Sequence, residues 1–198
     1  MHPVKLSIDC SSQSASFILS DASGNAITDL IIDKSDSLLF KRLPETFNQF
    51  DVTTKDIAMI AWGQGPGSFT GIRICATWIQ SLSYIHQLSV LPICSLRARA
   101  QAYCHKNNVS NGQLSAYLTA NRQFVYKGVW QLDNGFVCAS NDLSMVNKDQ
   151  LDQSCFNLDE YDASAYEIDF LSKSVENDKR LLTNSFDIRP NYLFDQFN

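Results

Sequence analysis

Four of the chain's eight glycines fall in one run, Gly63-Gln64-Gly65-Pro66-Gly67-Ser68-Phe69-Thr70-Gly71. Glycine at that density implies a backbone that takes positive φ or comes into close contact with another surface. The run follows the apolar stretch 57–62 and precedes a helical pattern, so it reads as strand, glycine loop, helix. That geometry presents free amides at a helix N-terminus to a phosphate or a carboxylate. It is not a Walker loop, because no Gly-Lys-Ser/Thr follows, and it lacks the Gly-x-Gly-x-x-Gly order of a dinucleotide site. Gly67, Gly71 and Cys75 stand at i, i+4 and i+8, a small-residue face that admits a second helix. Tight internal packing and a helix-to-helix contact with a partner are both open readings of that face. A second polar set, Asp9, Ser11 and Ser12, closes the first strand, where α/β sheets commonly hold ligands. Its hydroxyls and amides suit a phosphate, and they equally suit a plain hairpin turn. Ser68 fits a helix N-cap better than a nucleophile. His2, His86 and His105 are scattered and offer neither a metal site nor a base beside a nucleophile.

The elements that must position these residues follow from periodicity. Val4, Leu6 and Ile8 alternate with Lys5, Ser7 and Asp9, a strand with one wet face. Ala15, Phe17 and Leu19 continue the alternation, the turn 21–25 follows, and residues 26–32 give a third strand, so the chain opens as a meander. Leu39, Leu43, Phe47 and Phe50 recur at helical spacing around Pro44. Ile72, Ile74, Ile79, Leu82 and Ile85 with Trp78 mark a helix from Ser68 to about His86, followed by a strand at 90–94 and a connecting helix at 96–106. The meander has an echo: strand 114–120, polar turn, strand 124–132, the turn Asp133-Asn134-Gly135, and strand 136–138. Strands in threes followed by helices, twice in one chain, indicate an α/β fold of duplicated actin-like ATPase (ribonuclease H-like) lobes with mixed sheets and flanking helices. The lobes are expected at 1–98, with the glycine loop, and at a shorter 99–198. Residues 150–188 are poorly patterned, apart from a short helix near 148–151.

With 198 residues, 44% hydrophobic and 19% charged, the chain has an ordinary folded composition. It shows no signal-peptide segment and no 18-residue apolar span, so a cytoplasmic protein without membrane association is expected. The six cysteines, Cys10, Cys75, Cys94, Cys104, Cys138 and Cys155, make no Cys-x-x-Cys pair and read as reduced thiols. A net charge of −5 argues against non-specific nucleic-acid binding by the whole chain. Yet residues 57–132 hold no acid and six basic residues (Arg73, Arg97, Arg99, Lys106, Arg122, Lys127), while 142–178 hold ten acids. A dispersed surface and a basic face for an acidic partner or RNA are the two readings.

The run 65–74, Gly-Pro-Gly-Ser-Phe-Thr-Gly-Ile-Arg-Ile, resembles the signature of the TsaB/TsaD glycoprotease-like family; Ile8-Asp9-Cys10-Ser11 is similar to that family's first turn and Arg189-Pro190-Asn191-Tyr192-Leu193 to its ending. The chain lacks the paired helical histidines of metal-binding members, and so resembles the shorter, non-catalytic branch. The resemblance implies a scaffold that binds TsaD, joins TsaE through the complex, meets tRNA only indirectly, forms a homodimer when alone, and supports threonylcarbamoyladenosine formation next to the anticodon. It implies contacts from Gly67, Ser68, Phe69, Thr70, Gly71, Arg73 and Cys75, with Leu39 and Leu43 from the preceding helix. Asp9, Ser11 and Ser12 would be half a nucleotide site. No cofactor is held tightly, ATP with magnesium being expected only at the complex interface, and no metal. Two departures stand out: Thr119 takes the place of the second lobe's acid, and Ser35-Asp36-Ser37 replaces the usual His-Ser. The alternative function is a free-standing actin-fold ATPase, kinase or peptidase. A kinase needs carboxylates from both lobes, and Thr119 is not one.

Overall fold

A computed structural model describes residues 3–33, 39–138, 143–173, 182–183 and 187–191; Ser35-Asp36-Ser37, Tyr192 and Leu193 lie outside them. The first sheet is built from β1 (Val4–Asp9), β2 (Ser14–Ser20), β3 (Ala26–Asp33), β4 (Ile57–Gly63) and β5 (Ser89–Ile93). Its order is β3-β2-β1-β4-β5, antiparallel on the β2 side of β1 and parallel on the β4 side. The second sheet takes β6 (Gly112–Thr119), β7 (Phe124–Asp133), β8 (Phe136–Val137), β9 (Leu143–Asn147) and β10 (Phe156–Asn157). There β6 and β7 are antiparallel, β8 and β9 both pair with β7, and β10 runs parallel to β6, so the first sheet's pattern is repeated in shortened form.

One face of the first sheet is apolar for the expected reason. Leu6, Ile8, Phe17, Leu19, Ile60 and Trp62 meet α1 (Leu39–Gln49) and α2 (Phe69–His86) through Leu43, Phe47, Ile72, Cys75 and Ile79. Phe17 and Phe47 pack edge to face with ring centroids 6.3 Å apart. The opposite face corrects the expectation of a wet side. Lys5, Ser7 and Asp9 are polar but 9%, 0% and 0% exposed, because α4 (Ala165–Ser172) covers Lys5 and Ser7 and the glycine loop with Ser95 covers Asp9. Asp169 of α4 accepts hydrogen bonds from Ser7 (3.0 Å) and Ser20 (2.8 Å) and lies 3.2 Å from the ammonium groups of both Lys5 and Lys173. Lys5 also donates to Ser172 Oγ at 2.8 Å. A polar strand face is thus satisfied by a helix from the far end of the chain, as buried charge requires.

Between the sheets runs α3 (Ser95–Asn107), whose apolar residues Leu96, Ala100 and Cys104 pack on Leu114, Ala116, Trp130 and Val137 of the second sheet. The residue boundary expected at 98/99 falls inside this helix. Its polar residues are buried as well: Arg97 Nε donates to Val137 C=O (2.6 Å), and Gln101 accepts from Val137 N–H (2.8 Å) and donates to Gly135 C=O (2.6 Å). All six cysteines are free thiols. The short helix expected at 148–151 is present as a 3-10 helix at Lys148–Gln150.

Candidate functional site

The glycine loop leans on the turn after β1. A Cβ at Gly63 would overlap the Asp9 carboxylate, and one at Gly67 would lie 2.8 Å from Ser11 Cβ. Close approach, at φ +158° in the case of Gly67, is therefore why these positions are glycine. Ser68 N–H donates to Ser11 C=O at 2.7 Å, and Ser68 Oγ accepts from Gly71 N–H at 3.4 Å, making it the N-cap of α2.

Asp9 is fully buried behind that loop and internally satisfied. Its carboxylate accepts from Ser11 N–H (2.8 Å), Ser11 Oγ (2.9 Å) and Ser95 Oγ (3.2 Å), while Ser95 Oγ in turn accepts from Gly65 N–H (3.0 Å). Burial pushes its pKa up to about 6, against the opposing pull of the Ser11 and Ser95 hydrogen bonds and the Arg99 charge. Arg99, 5% exposed, crosses the cleft between the sheets. It donates to Ser12 Oγ (3.0 Å) and to Tyr161 C=O and lies 3.7 Å from Asp162. Ser12 Oγ donates to Ala163 C=O at 2.9 Å. The cleft, about 450 Å³, is lined by Ser11, Ser12, Ser68, Arg99, Asp159 and Asp162 among others.

Sequence reasoning placed Asp9, Ser11 and Ser12 together, and the structure does the same. It missed Ser95, Arg99, Asp159 and Asp162, which arrive from other elements. Thr119 is held by one of them, its N–H and Oγ1 donating to the Asp159 carboxylate at 2.8 and 2.7 Å. The second lobe therefore does bring a carboxylate to the cleft, but both of its oxygens are engaged. Among the described residues, no group of three His, Cys, Asp or Glu side chains is placed to hold a metal.

The partner set divides. Phe69, Thr70 and Arg73 are exposed, with the Arg73 guanidinium 4.1 Å from the Phe69 ring centroid, and Gly67, Ser68 and Gly71 are half-buried. Leu43 and Cys75 are corrected: both are 0% exposed core residues facing the first sheet, so neither side chain reaches a partner. Leu39 opens α1, and its side chain lies outside those described. The small-residue face also moves. Gly67 precedes the helix and Cys75 points inward; the small residues that face outward are Thr70, Thr77 and Ser81, flanked by Ile74 (50% exposed) and Ile85 (68%). The hydroxyls of Thr77 and Ser81 donate back to Arg73 C=O (3.0 Å) and Thr77 C=O (2.9 Å), so these two positions make no polar demand on a partner, while Arg73 and Tyr84 stay exposed beside them. The six basic residues do not form one face either, since Arg97 and Arg99 are internal.

These features define a protein of two related mixed-sheet α/β lobes with a cleft of about 450 Å³ between them that its own Arg99 crosses. Residues 36–151 match the TsaD family, described as tRNA N6-adenosine threonylcarbamoyltransferase. The tRNA threonylcarbamoyladenosine biosynthesis protein TsaB of Bacillus subtilis (strain 168) is 31% identical over 90 residues, 46% of this chain and 38% of that protein. The protein of the same name from Escherichia coli (strain K12) is 26% identical over 147 residues, 74% of this chain and 63% of that protein. The chain thus matches less than two thirds of either relative's length. YeaZ from Pseudomonas aeruginosa superposes with a TM-score of 0.81 at 20% identity, covering 96% of this chain and 100% of that one, which shows a common fold. The chain belongs to this glycoprotease-like family and within it is of the TsaB (YeaZ-like) kind.

The buried acid makes a testable demand. A folded-state pKa raised to about 6 means that the Asp9 contribution is favourable below the ordinary carboxylate range and is lost as pH rises through 6. Asp9→Asn is therefore expected to be more stable than wild type at pH 7.5 by about 2 kcal/mol, an advantage that disappears by pH 4. Urea unfolding at the two pH values reads this out, and an Asn variant that is weaker at pH 7.5 would contradict it.

Proposed function

We propose that this chain is a non-catalytic partner of TsaD in forming threonylcarbamoyladenosine on the tRNA adenosine adjacent to the anticodon. The observation that carries the proposal is the outer face of α2, where Thr70, Thr77 and Ser81 form a shallow strip with the exposed Ile74 and Ile85 along one side and Arg73 and Tyr84 along the other, the Thr77 and Ser81 hydroxyls already bonded to the helix. Such a strip accepts a second helix at close range. TsaD is the occupant because the curated relatives carry the name of this biosynthesis and the chain shares TsaD's family. In this reading the same face closes a homodimer when TsaD is absent, as a two-fold contact permits. TsaE joins through the complex, tRNA is met only through the assembly, and the site of action is the cytoplasm. No described helix is long and apolar enough to cross a membrane. The test is gel filtration of the purified chain with TsaD from the same organism. Separate elution at micromolar concentrations would end the proposal.

The cleft supports the non-catalytic reading, because Asp9 and Asp159 have their oxygens engaged and Arg99 lies between the lobes. The isolated chain is expected to show no ATPase or peptidase turnover and no ATP binding tighter than millimolar; nucleotide in the assembly sits in TsaD or at the shared interface. Calorimetry with magnesium and ATP checks this. A low-micromolar site lost on Asp9→Asn would favour a free-standing ATPase or kinase instead.

A further inference from the structure

The last described stretch, residues 187–191, returns to α2 and the glycine loop. Ile188 is 2% exposed and lies in the core that contains Ile72, Cys75 and Ile79. Its carbonyl accepts a 2.8 Å hydrogen bond from Gln80 Nε2, two thirds of the way along α2. Three residues on, the Asn191 N–H donates to Gln64 C=O at 2.8 Å, and the Gln64 N–H is itself bound to Ile93 C=O at 3.0 Å. One short segment thus grips the helix and the loop that leads into it.

That loop depends on such grips. Its glycines carry the largest conformational entropy, and between β4 and α2 the loop is held by a few single hydrogen bonds rather than by a continuous ladder. The restraints given by the structure are Ser95 on Gly65, Ile93 and Asn191 on Gln64, and Ser11 on Ser68. Of these, the Asn191 bond alone comes from the end of the chain, and the Ile188 side chain behind it is what holds the segment against the core.

We infer that Ile188 and Asn191 are positioning residues for the partner surface: docking of residues 188–191 fixes the glycine loop and the first half of α2, and release of this segment disables the α2 face. The inference rests on the reading of α2 as the TsaD contact for its consequence, but the docking itself is testable on the chain alone. A protease cut or a competing ligand at residues 187–191 would then act at a distance on the outer face of α2.

Hydrogen exchange on the full-length chain carrying Ile188→Asp, Ile188→Leu or Gln80→Leu provides the test. A carboxylate at 188 cannot stay in the core unpaired. In Ile188→Asp the Asn191 amide should lose protection and the amides of residues 64–80 should exchange about 10-fold faster, while those of β6 and β7 hold. Ile188→Leu should behave as wild type, which a merely local packing defect at 188 would not separate so cleanly. Gln80→Leu, which leaves the core intact, should give an intermediate change confined to the same residues. Affinity for TsaD should fall by about 10-fold in Ile188→Asp and be restored in Ile188→Leu. Unchanged exchange at 64–80 with Asn191 released, or an Asn191 amide still protected in Ile188→Asp, overturns the inference. If Ile188→Asp unfolds the whole chain, unchanged exchange at 64–80 in Gln80→Leu overturns it. A wild-type chain that fails to bind TsaD at all would defeat the functional reading, and the exchange results would still decide the docking.

Discussion

Asp169→Ala is expected to destabilise the fold by about 3 kcal/mol, the largest stability change proposed for a single side chain here. The carboxylate neutralises Lys5, whose ammonium is buried under α4, and also receives the Ser7 and Ser20 hydroxyls. Removing it takes from the buried Lys5 ammonium a carboxylate 3.2 Å away and from the Ser7 and Ser20 hydroxyls their acceptor, and breaking a buried ion pair is among the few causes of large single-site losses. Lys173 is 44% exposed and contributes little to the penalty, because water can solvate it once Asp169 is gone. The wild-type protein should also lose stability in acid at this site. Burial pushes the Asp169 pKa up, but the Lys5 charge with the Ser20, Lys5 and Ser7 hydrogen bonds outweighs it, and the folded-state value stays below the ordinary carboxylate range. Such a group stabilises above its unfolded pKa and ceases to do so as pH falls through the folded value. Asp169→Ala should therefore differ most from wild type above pH 5 and converge with it in strong acid. Equal urea midpoints at pH 7 would show that the network is dispensable.

Thr77→Arg should weaken binding to TsaD by about 100-fold, or about 2.7 kcal/mol, with the fold intact. Thr77 is exposed at the centre of the outer strip, and its hydroxyl bonds its own helix, so the native site asks nothing of solvent. A long charged side chain there holds the two helices apart and must be desolvated if they are to meet. Thr77→Ala removes only a methyl and a self-satisfied hydroxyl and should bind nearly as well as wild type. The homodimer should respond in parallel, since the same face closes it. A folded Thr77→Arg protein with wild-type affinity, measured by titration calorimetry, would place the contact elsewhere. Substitutions at Gly71 or Cys75 are poor probes by comparison, because Cys75 lies in the core and any large residue there acts on folding first.

Much of the scaffold was legible because it is locally encoded. The alternation of β1 and β2, the apolar run of β4, the Ser68 cap and the helix that follows it each show in a window of a few residues, and the structure has them at the expected places, although Ile74 and Ile85 of that helix face outward. The repeated strand-turn-strand pattern likewise predicted the second sheet. What escaped was α4, β9 and β10. The buried positions of α4 mix Glu167, Asp169 and Ser172 with Ile168 and Leu171, so its inner face has no apolar contrast for periodicity to report.

The same cause separates what the chain's order of residues determined from what the tertiary structure decided. The glycine loop, its cap, the helix that follows and the acid at the end of β1 are consequences of neighbours in sequence. Whether the polar face of β1 is wet, which side of α2 looks outward and whether Asp9 is free to act were settled by groups far along the chain: Asp169 lies 162 positions from Ser7, and Ser95 lies 86 from Asp9. A buried polar side chain is compensated by a hydrogen bond or a counter-charge, and neither leaves a mark on the residues beside it in sequence.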